Sequence, residues 1–320
     1  MSVPPNIRST TPGAFAIAAG AQPSPGYRLR CLRGRGGFAE VWEAEATAGP
    51  PVALKFMPTS NTGTTARELR SIQSLQSLEH PYMVRTHGVW SIPGYLVVNM
   101  ELAEGTLLDL MHLFRDDLGQ DVDPATLCLY VWQVAEALDF LNVRRHLRDG
   151  RRVGFQHGDV KPSNILLFGD TAKLTDYGLA TPTTGSSVPC SRQGTREYAA
   201  PEVFLGTLTD WSDQFSLAVT YYAVRTGTLP FPPPSKDTMW SSARPLPDLR
   251  GVTEPERPPL LRALSAVPQN RFPTCCTFMT AMLQALNLAV ETDPDTKRLK
   301  VVSAVRRKTA VAATPHRRPG

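Results

Sequence analysis

QHGDVKPSNILLF, residues 156–168, decides how this chain is read. Asp159 stands two residues before Lys161 and five before Asn164, in a turn marked by Gly158 and Pro162 that runs into the apolar segment ILLF. A second apolar segment, AKLT, ends at Asp176, with Tyr177 and Gly178 behind it. Short apolar runs bounded by Gly, Pro and Asp read as buried strands, so the polar groups collect at strand ends.

Around this stretch the composition is that of a globular protein. The chain has 320 residues, 42% hydrophobic and 20% charged. That is enough for two core-bearing lobes and too apolar for a disordered chain. No apolar run reaches the roughly 18 residues of a transmembrane helix. AFAIAAGAQ (14–22) is short and only Arg8 precedes it as a basic residue, which argues against a signal peptide. The five cysteines include one close pair, Cys275 and Cys276, and adjacent cysteines rarely bond to each other. No CxxC or His/Cys cluster offers a zinc site, and a reducing cytoplasm fits best. From Asn287 onward eight basic residues face three acidic ones, which accounts for the whole net charge of +5. The folded body is then near neutral, and the basic balance argues for no nucleic-acid groove in it. The tail itself reads as a solvated end.

Residues 1–26, rich in Pro, Ser, Thr and Gly, read as a flexible leader, and 287–320 as a basic flexible tail. From Tyr27 to about residue 103 the pattern is β-rich: YRLRCL, AEVWEAEA and PVALKFM are strands, and GYLVVNMEL is a buried one. ARELRSIQSLQSLEH spaces Leu69, Ile72, Leu75 and Leu78 as one amphipathic helix. From about 104 to 286 helices take over, in PATLCLYVWQVAEALDFLNV, SDQFSLAVTYYAV and PTCCTFMTAMLQALNL. The fold class is α+β: a small β-rich lobe with one helix, then a larger, mainly helical lobe, with a ligand cleft between them.

GRGGFAEV places Gly34 and Gly36 in a strand-turn-strand setting, where absent side chains let backbone N–H groups approach phosphate oxygens. Ala39 stands where a third glycine is expected. A plain glycine hairpin explains these residues equally well. Lys55 lies inside the apolar strand VALK, where an ammonium is costly unless it meets an anion or reaches solvent at an edge. Glu68, on the helix, is the candidate carboxylate to hold it, about one helical turn earlier than expected.

Asp159, Lys161, Asn164 and Asp176 together suit phosphoryl transfer, which needs charge neutralised, a metal placed and a hydroxyl oriented. Asp176 would bind Mg²⁺ and Asn164 would offer an amide oxygen to a second ion, since hard cations prefer oxygen. Asp159 would accept the acceptor hydroxyl's hydrogen bond and take its proton late, with Lys161 against the γ-phosphate. Spacing and order agree at all four positions, which argues against ordinary turn residues.

These motifs resemble those of eukaryotic-type Ser/Thr protein kinases of the kind bacteria also carry. The resemblance spans residues 27–286, with GRGGFAEV, VALK, HGDVKPSN and DYG followed by GTREYAAPE, SDQFSLAV and NRF. The HGD form and an Arg-rich insert are reminiscent of planctomycete kinases. The resemblance implies a bilobal protein-kinase-like fold, with lobes 27–103 and 104–286. It implies ATP as phosphoryl donor with Mg²⁺ or, in its place, Mn²⁺, a protein substrate, and a soluble regulatory partner. Nucleotide-binding residues would be Gly34, Gly36, Val41, Ala53, Lys55, Glu68, Met100, Glu101 and Ala103. Met100 would be the gatekeeper, and 101–103 the hinge strand. Metal ligands would be Asn164 and Asp176, and catalytic residues Asp159, Lys161 and Thr195. GTREYAAPE (194–202) has no counterpart in small-molecule phosphotransferases and would form the floor under a substrate peptide. Glu202 would pair with Arg271, and Asp213 would accept catalytic-loop N–H groups or serve as a helix N-cap. Lys161 points to Ser/Thr as acceptor.

Three departures qualify this. Gly158 replaces the Arg that reads an activation-segment phosphate, so activity is expected without phosphorylation of Thr183, Thr184, Ser186, Ser187 or Ser191. Tyr177 replaces Phe and adds a hydroxyl that needs a partner when buried. NVRRHLRDGRRVGF (142–155) is about eight residues longer than the usual link, and reads as a solvated loop or a site for an acidic partner. A partner-binding pseudokinase and a small-molecule phosphotransferase remain the alternatives.

Overall fold

Alternation builds the first unit, which comprises residues up to 79 and 84–103. In Val52–Pro58, Val52, Leu54 and Phe56 point to one face of the sheet, and Ala53, Lys55 and Met57 to the other. The computed structural model describes residues 14–36, 39–60, 63, 66, 69, 75, 78–148, 150–191, 194–232, 244–294 and 298–304. Five antiparallel strands, β1 (Tyr27–Arg35), β2 (Glu40–Ala46), β3 (Val52–Pro58), β4 (Thr86–Ile92) and β5 (Tyr95–Glu101), lie in the order β1-β2-β3-β5-β4. One face carries Leu29, Trp42, Ala44, Val52, Leu54, Phe56 and Val97. The other buries Met57, Leu96 and Val98 against Leu69, which is helical as expected.

The leader is a correction for residues 14–26. They run along the first face, with Phe15 N–H donating to Pro93 O at 2.8 Å and Gly20 N–H to Leu29 O at 2.8 Å. Ile17 and Ala21 pack on that core beside Trp90 and Tyr95. The apolar run AFAIAAGAQ is a cover for the sheet, which would otherwise leave a hydrophobic face in water.

The second unit, residues 80–83 and 104 onward, is mainly helical. Helix α1 (Pro124–Asn142) starts with Asp123 as cap, its carboxylate accepting the Thr126 N–H at 3.0 Å, and Pro124 in the first turn. It packs against α2 (Ser212–Thr226) and α3 (Cys275–Ala285). Helix α2 is buried at every position but Arg225, so it is the centre of this unit's core. Asp139 of α1 reaches the N-terminus of α3, accepting the Cys275 and Cys276 N–H groups at 2.8 and 2.9 Å. A carboxylate there meets unpaired donors and the positive end of the helix dipole.

Small sheets position the loops. β9 (Ile165–Phe168) and β10 (Thr171–Leu174) pair as the hairpin that carries the opening stretch, with β6 (Gly105–Thr106) on the far side of β9. The Arg-rich insert is a second correction, since it is a β-hairpin and not a loop. β7 (His146–Arg148) pairs with β8 (Arg151–Gln156), and β8 also takes β11 (Thr181–Thr183). Arg144 is tied to Asp210 at 2.6 Å and Arg145 lies 4.8 Å over the Phe140 ring, while Arg151 and Arg152 are exposed. The tail also departs from expectation: β14 (Leu288–Thr292) and β15 (Leu299–Ser303) form an antiparallel hairpin. Among the described residues no helix is long and apolar enough to cross a membrane.

Candidate active site

In the first unit the register sets the nucleotide candidates on one face. Val41 lies opposite Lys55, which lies opposite Val98, and Ala53 lies opposite Met100. Residues opposite one another or two apart on a strand share a face, so Val41, Ala53, Lys55 and Met100 face the same way. Met100 is buried and also serves the core. Gly34 still pairs with Val41, after an irregularity in β1, and Gly36 N–H donates to Ala39 O at 2.8 Å, closing the hairpin loop. Glu101 is held at both ends: its N–H reaches Arg85 O at 3.2 Å and its carboxylate accepts the Arg85 N–H at 2.8 Å. The Ala103 carbonyl accepts from the Arg33 guanidinium at 3.3 Å. Glu68 lies outside the described residues.

In the second unit four of the expected residues meet. Asp159 Oδ2 accepts from Lys161 Nζ at 2.8 Å and from Asn164 Nδ2 at 3.1 Å. Asp159 Oδ1 accepts the Thr195 N–H at 2.8 Å, and Lys161 Nζ donates to Thr195 Oγ1 at 2.6 Å. Burial pushes the Asp159 carboxyl up, but the Lys161 ammonium and the Thr195 donors outweigh it and hold it below the ordinary value of 3.8. Asp159 is therefore ionised throughout the neutral range and ready to accept a hydroxyl's hydrogen bond.

Backbone donors hold the loop from beneath. Asp213 Oδ2 and Oδ1 accept the His157 and Gly158 N–H groups at 2.6 and 2.9 Å, so this carboxylate serves the catalytic loop, while Trp211 precedes α2 with no side-chain cap. Full burial raises the Asp213 carboxyl, against the pull of His157 and those two donors. His157, given no role by sequence, joins two motifs: its Nδ1 accepts the Asp159 N–H at 3.3 Å, which leaves Nε2–H to donate to Thr175 O at 2.9 Å. Thr175 N–H in turn donates to Asn164 O at 3.0 Å. The residue before Asp176 is thus fastened to the catalytic loop on both sides. Asp176 itself has φ 63° and ψ 67°, a left-handed conformation that a non-glycine residue adopts at a cost of order 1–3 kcal/mol. The added hydroxyl of Tyr177 finds Leu174 O at 2.6 Å, and its ring packs edge-on to His157 at 5.4 Å.

The donor set suits a divalent ion. The Asn164 amide nitrogen is committed to Asp159 O and Oδ2 at 2.8 and 3.1 Å, so an ion here would meet its Oδ1. Among the described residues no group of three or more His, Cys, Asp and Glu gathers at one point. An ion on Asp176 and Asn164 would complete its shell with oxygens of its phosphate ligand and water, as Mg²⁺ sites on proteins commonly do.

Two glycines explain the loop's shape. Gly158 has φ +79°, and Gly194 has φ +95° with a would-be Cβ only 2.7 Å from Gly158 O. A side chain at 194 would push the Thr195 segment off Asp159. The activation segment is strand-paired at two places, β11 on β8 and β12 (Ser187–Pro189) on β13 (Thr207–Thr209). Its far end is pinned by Glu202 and Arg271, joined by two bonds of 2.7 and 2.8 Å with both side chains buried.

A family model described as protein kinase domain matches residues 27–287. A serine/threonine-protein kinase PknE of Mycobacterium bovis is 31% identical over 290 residues, 87% of this chain and 49% of the relative. PknH of Mycobacterium tuberculosis is 31% identical over 287 residues, 84% and 42% of the two chains, and PknF of the same species is 31% identical over 298 residues, 88% and 60%. The chain thus spans about half the length of the curated relatives it matches. With the match extending from the start of β1 to just past the end of α3, the chain belongs to the protein kinase family.

Proposed function

We propose that this chain transfers the γ-phosphoryl group of ATP to serine or threonine hydroxyls of a protein. The observation that carries the reading is the closed set of bonds among Asp159, Lys161, Asn164 and Thr195. It fixes a carboxylate, an ammonium and an amide around one point. The acceptor oxygen would bond to the γ-phosphorus as the bond to the β–γ bridging oxygen breaks; ADP leaves and the hydroxyl proton passes to Asp159. A divalent ion, Mg²⁺ or Mn²⁺, would be held by Asp176 and Asn164 and would neutralise phosphate charge. Lys55 would hold phosphate oxygens from its strand, and the segment 194–202 would support the acceptor peptide. The five free cysteines support a reducing, cytoplasmic setting, and regulation would come through a soluble partner.

The test is purified protein with labelled ATP, Mg²⁺ and casein, beside an Asp159→Asn control. Label in casein that vanishes in the control supports the reading. A nucleotide-dependent thermal shift without transfer would favour a pseudokinase, and label only in small metabolites a small-molecule phosphotransferase. In the same assay Lys55→Met lowers transfer about a hundredfold with the melting temperature retained, since one fixed phosphate contact is lost.

Activity would not require a phosphate on the activation segment. Gly158 offers no guanidinium to receive one, and the strand ladders 181–183 and 187–189 already hold the segment. Thr183 is buried, while Thr184, Ser186, Ser187 and Ser191 are exposed. Alanine at all five positions leaves transfer to casein within about threefold of the starting protein; loss beyond tenfold in a folded variant counts against this.

A further inference from the structure

Arg244 was given no role by the sequence, and no motif contains it. Its guanidinium sits where one cation meets six partners. Nη2 donates to Arg196 O at 2.6 Å and Ala199 O at 2.7 Å, and Nη1 to Glu197 O at 3.3 Å. The same group lies 5.2 Å from the Phe204 ring centre, 5.5 Å from Phe215 and 4.9 Å from Phe231. All three rings are buried, and Phe215 and Phe231 stack at 5.8 Å. Burial lowers the guanidinium to about 10, against the opposing pull of Glu197, so it keeps its charge at neutral pH.

The two ends of the segment 195–202 are held by other side chains. Thr195 is fixed to Asp159 and Lys161, and Glu202 to Arg271. Between them Arg196, Glu197 and Ala199 turn their carbonyls to Arg244. A guanidinium suits this position because it is a planar fork of five donors that also stacks on aromatic faces, and a lysine ammonium is a single point with neither property.

We propose that Arg244 is a positioning residue for the acceptor platform, setting the path of residues 196–199 and through it the affinity for the protein acceptor. This rests on the kinase reading above and deepens it: the residue governs how the acceptor is held, not the phosphate donor or the transfer step.

The test compares Arg244→Met and Arg244→Lys with the starting protein in two readouts. In steady-state kinetics with casein and ATP, Arg244→Met raises the KM for casein at least tenfold. Its kcat at saturating casein and its KM for ATP stay within threefold, and Arg244→Lys falls between. An unchanged KM for casein, or kcat and both KM values worsening together, overturns the proposal. The second readout needs no turnover. Trypsin under native conditions cleaves Arg196–Glu197 at least tenfold faster in Arg244→Met, while Arg225–Thr226 within α2 stays protected. Equal rates at Arg196, or cleavage rising at both bonds alike, overturns it. If Arg244→Met fails to fold, Arg244→Lys carries both readouts, with a threefold rise in each as the threshold. If the starting protein labels no acceptor, the kinase reading fails, and the trypsin readout still decides whether Arg244 positions the segment.

Discussion

Asp159→Asn lowers kcat for transfer to casein by about a thousandfold, within the 10²–10⁴ range of positioned acid–base groups and near 4 kcal/mol of barrier. Both carboxylate oxygens accept hydrogen bonds, Oδ2 from Lys161 and Asn164 and Oδ1 from Thr195. An amide at 159 turns an NH₂ against one of these donors whichever way it is flipped, so the substitution removes the proton acceptor and loosens the Thr195 segment together. Transfer and thermal melting are measured on the same preparation. Residual transfer above a tenth of the starting rate would mean that another group takes the proton. Mild acid does not imitate the substitution. The folded-state carboxyl lies below 3.8, so its charge, and the stability it lends, are lost only as pH falls through that lower value.

Arg271→Met lowers folding stability by about 3–5 kcal/mol, two to four decades in the folding constant. Removing the guanidinium leaves the Glu202 carboxylate buried, with the Thr209 and Ser212 hydroxyls at 3.2 and 2.9 Å as its remaining hydrogen-bond partners among the described residues. It also takes a donor from the carbonyls of Trp211 and Ser265, which Arg271 meets at 3.0 and 2.9 Å, and leaves Trp211 O with the Phe215 N–H at 3.3 Å. Pairing it with Glu202→Gln removes the uncompensated charge and recovers part of the loss. Urea midpoints with the slope held constant read both variants. A loss under 1 kcal/mol for Arg271→Met would mean that the segment is pinned by other contacts.

Much of the site was legible because its chemistry is written at short range. The spacing Asp159, Lys161, Asn164 places three side chains on one turn, and their mutual bonds follow from it. Lys55 on the second face of β3 follows from the alternation of VALKFM. Asp213 was readable as a polar residue at a helix start, but whether it capped α2 or served another loop was not, because both uses need the same carboxylate at the same place. Its two bonds to His157 and Gly158 decide it.

The sequence by itself determined the order of the reacting groups, the strand faces and the helices, since these depend on neighbours within a few residues and on periods of two and 3.6. Only the tertiary structure decided that residues 14–26 cover a sheet face and that Arg244 holds the carbonyls of Arg196, Glu197 and Ala199. Each of these joins segments that lie apart in the chain, where no period links the partners. A backbone carbonyl as acceptor leaves no mark in the residue types at all, so the partner of Arg244 exists only once the chain has folded.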